Sequence, residues 1–467
     1  MADEYLLKYL TDVLSNLQLA PIATTAEVVK AYIGPKRKIY ERAEVSLYDS
    51  GLKAKHARLN SFVKFEKQDL SKAPRCINPR SPEYNLLLGK YLKFNEKKYF
   101  AAIAGVFRQE HVVIKGMDVE ESAGLIVDMV ESTPGAVIVG GDASKFDMHV
   151  SLESLEYEHM FYLLPHHGGS VEECLHDYRL VQALNAEECP AEEGFPELSW
   201  LLSKQLNNEG TAYFDDGKLS FKMRGTRASG DLNTSLGNCV IMSALNKSWA
   251  DRARTEVKLA NNGDDCATIL RREQLQQWLD GQVDYYASKG FRMALEPPVY
   301  HTEGLEFCQS KPVCVDGTWR MVRNPSTLIT KASMCLKPCR NLKDLRRWMM
   351  AVGLCEGKLS DGVPVLAAFA RCMRRNGLRC SSRQLKLVEG ESSRAREGGM
   401  DSPITLSSRI SFWAAWGIPP REQELLEEHY NGWVLGDNFG PTLSGEEACE
   451  KALEVKASVV DLLSPNN

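Results

Sequence analysis

The sequence predicts an α+β fold, an antiparallel sheet backed by helices and followed by a largely helical C-terminal part. Three observations predict it. "GAVIVGGDASKFDMHV" reads as a buried strand running into a helix. "TAYFDDGKLSFKM", the stretch around "NNGDDC" and "LEFCQSKPVCVDGTWRMVR" set apolar, β-prone flanks around Gly- and Asp-rich turns, as hairpins do. From about Pro338 onward helical patterns dominate, interrupted by the polar loop "VEGESSRAREGGMDS".

In chain order, "EYLLKYLTDVLSNLQL" predicts a helix, and short extended pieces broken by "APR", "NPRSP" and Gly follow it. After the strand "AVIVGGD", a helical, polar region extends to about Asn208 and leads into the hairpin with Asp-Asp-Gly at its turn. "RASGDLNTSLG" is a loop before a helix through "NCVIMSALNKSWA". "QLQQWLDGQVDYYASKG" predicts one helix ended by Gly, and "FRMALE" a strand. No internal repeat or long low-complexity tract is present.

The 467 residues exceed what one compact core usually carries, so two or three subdomains are expected. A composition of 43% hydrophobic and 25% charged residues is that of an ordinary globular protein. The start, "MADEYLLKYLTDVL", is acidic and amphipathic, which argues against a signal peptide. Apolar runs such as "YFAAIAGVF" are too short to span a bilayer. If the protein works at a membrane, something outside this chain takes it there.

Thirteen cysteines, an odd number scattered through a long chain, read as reduced thiols. Cys335 and Cys339 in "CLKPC" offer two zinc ligands, but no second pair sits at ligand spacing, and His166–His167 lacks a nearby Cys. Packed thiols are the better reading there.

A net charge of −5 argues against nucleic acid only as an average. From Lys53 to Lys98 there are twelve Lys/Arg against four acids, and "NLKDLRRWMM" and "RCMRRNGLRC" are basic again. Such lanes suit a groove that tracks phosphates, although each alone is equally a solvated surface.

The adjacent Asp264 and Asp265 stand where a hairpin should turn. Taken alone, Asn-Gly-Asp is turn chemistry. Two carboxylates at a hairpin tip are also what divalent metal ions require. Asp142 ends the strand "AVIVGGD", an expensive place for a carboxylate without a cation or donor, unless it caps a helix; Asp147 follows in "DASKFD". One sheet could bring these carboxylates together in the layout that two-metal phosphoryl transfer needs.

Ser229 and Gly230 form a backbone-exposing loop, and Thr234 and Asn238 share a helical face. With Asp147 they could sense a ribose 2′-OH, whereas a Ser-capped helix facing solvent is the plainer alternative. Lys64, Lys67, Arg75 and Arg80 lie on a Pro-stiffened basic stretch suited to a triphosphate.

The ordered set "PRCINPRSPEYN", "DASKFD", "SGDLNTSLGN", "NGDD" and "LEFCQSKP" resembles a viral RNA-dependent RNA polymerase of the tombusvirus-like group of plus-strand RNA viruses, related to flavivirus-type enzymes. The resemblance runs from "YIGPKRKIYERAEVSL" to "SSRISFWAAWGIPPREQELLEEHY". It implies a right hand: fingers in 1–136, a first palm strand in 137–150, an insertion in 151–222 and palm in 223–304. A primer-grip hairpin at the palm–thumb junction would occupy 305–337, and the thumb 338–467.

It further implies Asp142 and Asp264 as principal ligands of Mg²⁺ (or Mn²⁺), with Asp265 beside them. Asp147, Ser229, Thr234 and Asn238 would read the incoming ribose, and Gly230 would be a hinge. Arg75 and Arg80, and more loosely Lys64 and Lys67, would hold the NTP triphosphate; Cys308, Gln309, Ser310 and Lys311 would grip the primer end. The implied partners are template and nascent RNA, NTPs and an auxiliary replication protein that supplies membrane attachment. The implied location is membrane-associated replication complexes in host cytoplasm.

One departure stands out. The lysine that in this family is thought to protonate pyrophosphate is missing from "FRMALEPPVYHTEG", leaving Lys289, Arg292 and His301 as candidates, and Arg is a poor proton donor. Two other readings compete. A reverse transcriptase could use the same carboxylates but would be expected to carry an aromatic steric gate. A non-catalytic RNA-binding replication subunit would use the basic lanes alone.

Overall fold

The computed structural model describes residues 3–68, 71–336, 339–381 and 400–436. The chain forms two compact units, one of residues 1–64, 75–115 and 129–300, the other of 65–74, 116–128 and 301–467.

The first unit carries eight strands among its described residues: β1 (Leu59–Val63), β2 (Cys76–Ile77), β3 (Ala136–Ala143), β4 (Asn207–Phe214), β5 (Gly217–Arg224), β6 (Val257–Asn261), β7 (Asp265–Arg271) and β8 (Met293–Leu295). They form two sheets. The antiparallel one has the order β6-β7-β3-β8, and the other has the order β2-β1-β4-β5 with β1 parallel to β4.

The antiparallel sheet packs on helix Thr234–Ala253, and its Val137, Val139, Leu259 and Leu270 join Val240, Ile241 and Leu245 in one core. Thr234–Ala253 is buried from Leu236 to Ala250 except at Lys247, so it shows no single polar face. The helix Glu4–Asn16 starts where the Asp3 carboxylate accepts from the Leu6 amide (3.0 Å), and it buries Leu6, Tyr9, Leu10 and Val13.

The second unit holds the hairpin β9 (Ser310–Val315) and β10 (Thr318–Arg323), turned at Asp316 and Gly317. Helices Leu342–Leu359, Leu366–Arg375, Leu406–Trp416 and Pro420–Gly432 follow. Val313, Val322, Val352, Phe369 and Phe412 form its core. Most of the polar loop expected at 388–402 lies outside the described residues.

Several local expectations change. The single helix expected around "QLQQWLDGQVDYYASKG" is two, Leu275–Leu279 and Gln282–Ser288, because Gly281 takes φ 89° and ends the first run. The helical region expected to about Asn208 ends at Leu206, and β4 begins at Asn207. Asp142 caps no helix. It lies within β3, and the short helix Phe146–His149 has Lys145 at its cap position. The mixture of helix and short extended pieces expected in the first part is present, with β1 and β2 lying among its helices. Among the described residues, no helix is long and apolar enough to cross a membrane.

Candidate active site

Register places the two carboxylate motifs at one end of the antiparallel sheet. Asp142 on β3 is directly opposite Asp265 on β7, and the Ala143 amide donates to the Asp264 carbonyl at 2.8 Å. The turn between β6 and β7 is closed by the Asn262 amide on the Asp265 carbonyl (2.9 Å). Gly263 takes φ 99°, a conformation that only glycine adopts freely, and its amide donates to Asn261 Oδ1 at 2.7 Å. Asn261 in turn donates to the Cys239 carbonyl (2.9 Å) and to Ser243 Oγ (2.7 Å), which ties the turn to the buried helix.

Beyond β3, Lys145 at φ 51° reverses the chain so that Asp147 returns toward the same end. Asn238 donates from Nδ2 to Asp147 Oδ1 at 2.8 Å. Arg227 holds Asn238 from behind, Nε to Oδ1 at 2.9 Å, and its amide donates to the Asp147 carbonyl at 2.9 Å. Its Nη2 pairs with Glu158, both side chains being 0% exposed. A buried cation thereby fixes the orientation of the Asn238 amide, and Asn238 fixes Asp147.

The charges interact. Loss of water around Asp264 pushes its carboxyl above its ordinary value; its own backbone lowers it, Asp142 raises it further, and Lys115 and Arg75 pull it back. Asp147 is raised by burial, opposed by the Asn238 hydrogen bond and Arg227, with Asp264 adding to the rise. Among the described residues, no three His, Cys, Asp or Glu side chains form a ready cage for an ion. Mg²⁺ usually takes one or two carboxylates and completes its shell with water and substrate phosphate. Asp142 and Asp264 fit that donor set, and their mutual repulsion is what a cation would relieve.

The remaining candidates divide. Arg75 is close enough for its charge to act on Asp264. Lys64 is exposed, and its amide donates to the Arg75 carbonyl at 2.8 Å. Lys67 belongs to the second unit, where its ammonium donates to the Lys331 carbonyl.

Arg80 corrects the expectation that its fork reaches a triphosphate. Its side chain is 1% exposed and pairs with Asp231 at 2.6 Å, while Nη1 donates to the Ala57 carbonyl and Nη2 to Asn208 Oδ1, each at 2.5 Å. It braces the loop that carries Ser229 and Gly230. Ser229 Oγ donates to the Cys76 carbonyl (3.2 Å), and Thr234 Oγ1 turns back to the Ala228 carbonyl (2.8 Å). A β-carbon on Gly230 would stand 2.6 Å from Pro79 Cα, so this glycine permits a close backbone approach in a docked loop.

In the second unit, Phe307 and Ser310 exchange backbone hydrogen bonds (2.8 and 3.1 Å) around Cys308 and Gln309. Both central residues are left-handed, φ 54° and 58°, in the two-residue turn that normally takes Asn-Gly. Lys311 Nζ lies over the Trp416 ring, 5.1 Å from its centre. Relief of left-handed strain in Gln309→Gly is expected to stabilise the protein by about 1 kcal/mol, read as a higher urea midpoint. A lower midpoint would mean that the Gln309 side chain contributes more than its backbone costs.

The general-acid candidates are separate. Lys289 pairs with Asp3 at 2.6 Å, Arg292 is exposed with its carbonyl accepting from the Ser144 amide (3.0 Å), and His301 belongs to the second unit. Cys335 and Cys339 sulfurs lie 3.9 Å apart.

Sequence reading missed Lys115, Arg227 and Glu158. Lys115 follows a segment held beside the turn: the Asn261 amide donates to the Val112 carbonyl (2.8 Å) and the Ile114 amide to the Asn261 carbonyl (3.0 Å).

The sequence model of the family described as "Viral RNA dependent RNA polymerase" matches residues 3–186 and 181–436. The RNA-directed RNA polymerase of Tobacco necrosis virus (strain A) is 37% identical over 447 residues, covering 91% of this chain and 56% of the relative. Those of Cucumber necrosis virus and of Tomato bushy stunt virus (strain Cherry) are each 35% identical over 413 residues, covering 88% of this chain and 47% of the relative. The chain spans about half the length of the curated relatives it matches.

Proposed function

Because the chain belongs to the viral RNA-dependent RNA polymerase family, we propose that it copies a plus-strand RNA genome by adding NTPs to a growing RNA 3′ end. The observation that carries this reading is the register setting Asp142 opposite Asp265, with Asp264 bonded to the strand that bears Asp142. The 3′-oxygen attacks the α-phosphate, a P–O bond forms, the α–β bridge breaks, and pyrophosphate leaves.

Asp142 and Asp264 would hold Mg²⁺ or Mn²⁺, with Asp265 adjacent. When bound, such ions lower the pKa of the attacking hydroxyl and offset charge on the phosphates. Arg75 adds positive charge facing Asp264. Asp147 and Asn238, aligned by Arg227, offer an acceptor and an amide to a ribose 2′-OH. The Lys289 ammonium is engaged by Asp3 rather than offered to pyrophosphate.

We read 137–150 and 223–304 as palm, 1–136 as fingers, 151–222 as a fingers/palm insertion, 305–337 as the primer-grip junction and 338–467 as thumb. The family resemblance supports this division. It also supports an auxiliary replication protein that supplies membrane attachment, and membrane-associated complexes in host cytoplasm as the working place.

The test is incorporation on a short single-stranded RNA template with Mg²⁺ or Mn²⁺. Template-length product from NTPs, with dNTPs at least about 100-fold poorer, is expected, about 3 kcal/mol of discrimination. Equal use of dNTPs would favour a reverse-transcriptase-like enzyme. RNA binding without product from either metal would favour a non-catalytic subunit.

A further inference from the structure

We propose that Lys115 biases the site against a bare divalent cation and toward one that arrives with a nucleoside triphosphate. This rests on the metal-site reading above. Backbone pairing of residues 112–114 with Asn261 delivers Lys115 to the Gly263 turn. A β-carbon on Gly263 would lie 3.7 Å from Lys115 Nζ and 3.5 Å from Asn238 Cβ, so the ammonium stands at the turn itself, with Asn238 on the same glycine. The charge of Lys115 acts on both Asp147 and Asp264. Among the described residues it closes no ion pair within 4.0 Å on either.

A cation held near carboxylates without being locked to one repels any further cation that approaches them. A bare divalent ion must enter against that repulsion. The same ion bound to a triphosphate arrives with net negative charge, and the sign of the interaction reverses. Lys115 thus lowers affinity for metal alone and raises it for metal with nucleotide, so that the site loads both together.

The two effects have opposite signs, which a merely structural lysine would not produce. Mn²⁺ binding to the RNA-free protein can be followed by electron paramagnetic resonance. It would be measured with and without GTP carrying an α,β-methylene bridge, which cannot be transferred. Lys115→Met is expected to tighten bare Mn²⁺ several-fold and to weaken the Mn²⁺–nucleotide complex several-fold. Lys115→Gln should repeat both shifts, and Lys115→Arg should keep both constants near wild type.

Shifts of the same sign, or none, in variants that melt like wild type would overturn the proposal. Where the Met and Gln variants melt early, Lys115→Arg still tests it, because Arg keeps the charge: a well-folded Arg variant that binds bare Mn²⁺ several-fold more tightly, or the Mn²⁺–nucleotide complex several-fold more weakly, would overturn the proposal. A wild type that binds Mn²⁺ neither alone nor with nucleotide would instead overturn the metal site, and this inference with it.

Discussion

Asp264→Asn is expected to lower nucleotide incorporation by at least about 1,000-fold, equivalent to about 4 kcal/mol of lost transition-state stabilisation, while leaving the fold intact. The carboxylate is on the turn beside β7 and takes no part in the packed core. Its folded-state carboxyl is raised above the ordinary value, chiefly by loss of water and further by Asp142. A raised carboxyl stabilises the fold only at pH below its unfolded value and loses that contribution as pH rises through the folded one. At neutral pH and without metal, ionised Asp264 therefore strains the site.

The amide variant should accordingly melt no lower than wild type in metal-free buffer at pH 7. Its advantage should shrink as pH falls toward the ordinary carboxylate range. Added Mn²⁺ should raise the melting temperature of wild type and leave that of Asp264→Asn nearly unmoved, since only a site that binds the ion gains stability from it. Retained synthesis in the variant would move the active site elsewhere. Early melting without metal would show that Asp264 is a structural residue.

What the sequence disclosed followed the range of the forces involved. Turn chemistry at Asn262-Gly263 and the apolar run before Asp142 are local, so both carboxylate motifs were legible, as was the antiparallel sheet that joins them. Arg80 shows its charge in the sequence but not its burial, and its partner Asp231 lies far along the chain, so a brace was read as a triphosphate ligand. Gly230 shows the same limit. A hinge and a close backbone approach both ask for glycine, and only the position of Pro79 distinguishes them. Lys115 is a lone cation after an apolar run, with no spacing signal. Its position emerges only when residues 112–114 are paired with Asn261. The split of one expected helix into two at Gly281 was within reach, because Asp-Gly marks a turn.

Arg227→Met should carry the largest stability effect, about 3–5 kcal/mol, a sizeable part of the 5–15 kcal/mol typical of a folded domain. Arg227 and Glu158 are both fully buried, so deleting the cation leaves a carboxylate with no water to solvate it. The remaining bonds to Glu158, from Tyr162 (2.8 Å) and Asn233 (2.9 Å), are neutral and cannot replace the charge. A double variant, Arg227→Met with Glu158→Leu, should recover much of the loss, because an apolar pair of similar volume often matches a buried ion pair.

Acid should attack the same cluster. Burial, partly opposed by Glu158, depresses His159 to about 4, and Glu158 itself is held below its ordinary value by Arg227 despite burial. Both groups bind protons more readily when unfolded, so wild-type stability should fall as pH drops from about 6.5 to about 4, by up to about 3 kcal/mol from His159 alone. A flat urea midpoint over that window would show that His159 is not held neutral. The double variant separates stability from selectivity. It restores packing yet removes the Nε bond that orients Asn238 toward Asp147, so it should fold well while losing part of its preference for NTPs over dNTPs. If its preference stayed at the wild-type value, Asn238 would be positioned by its helix alone and the buried cation would serve only the fold.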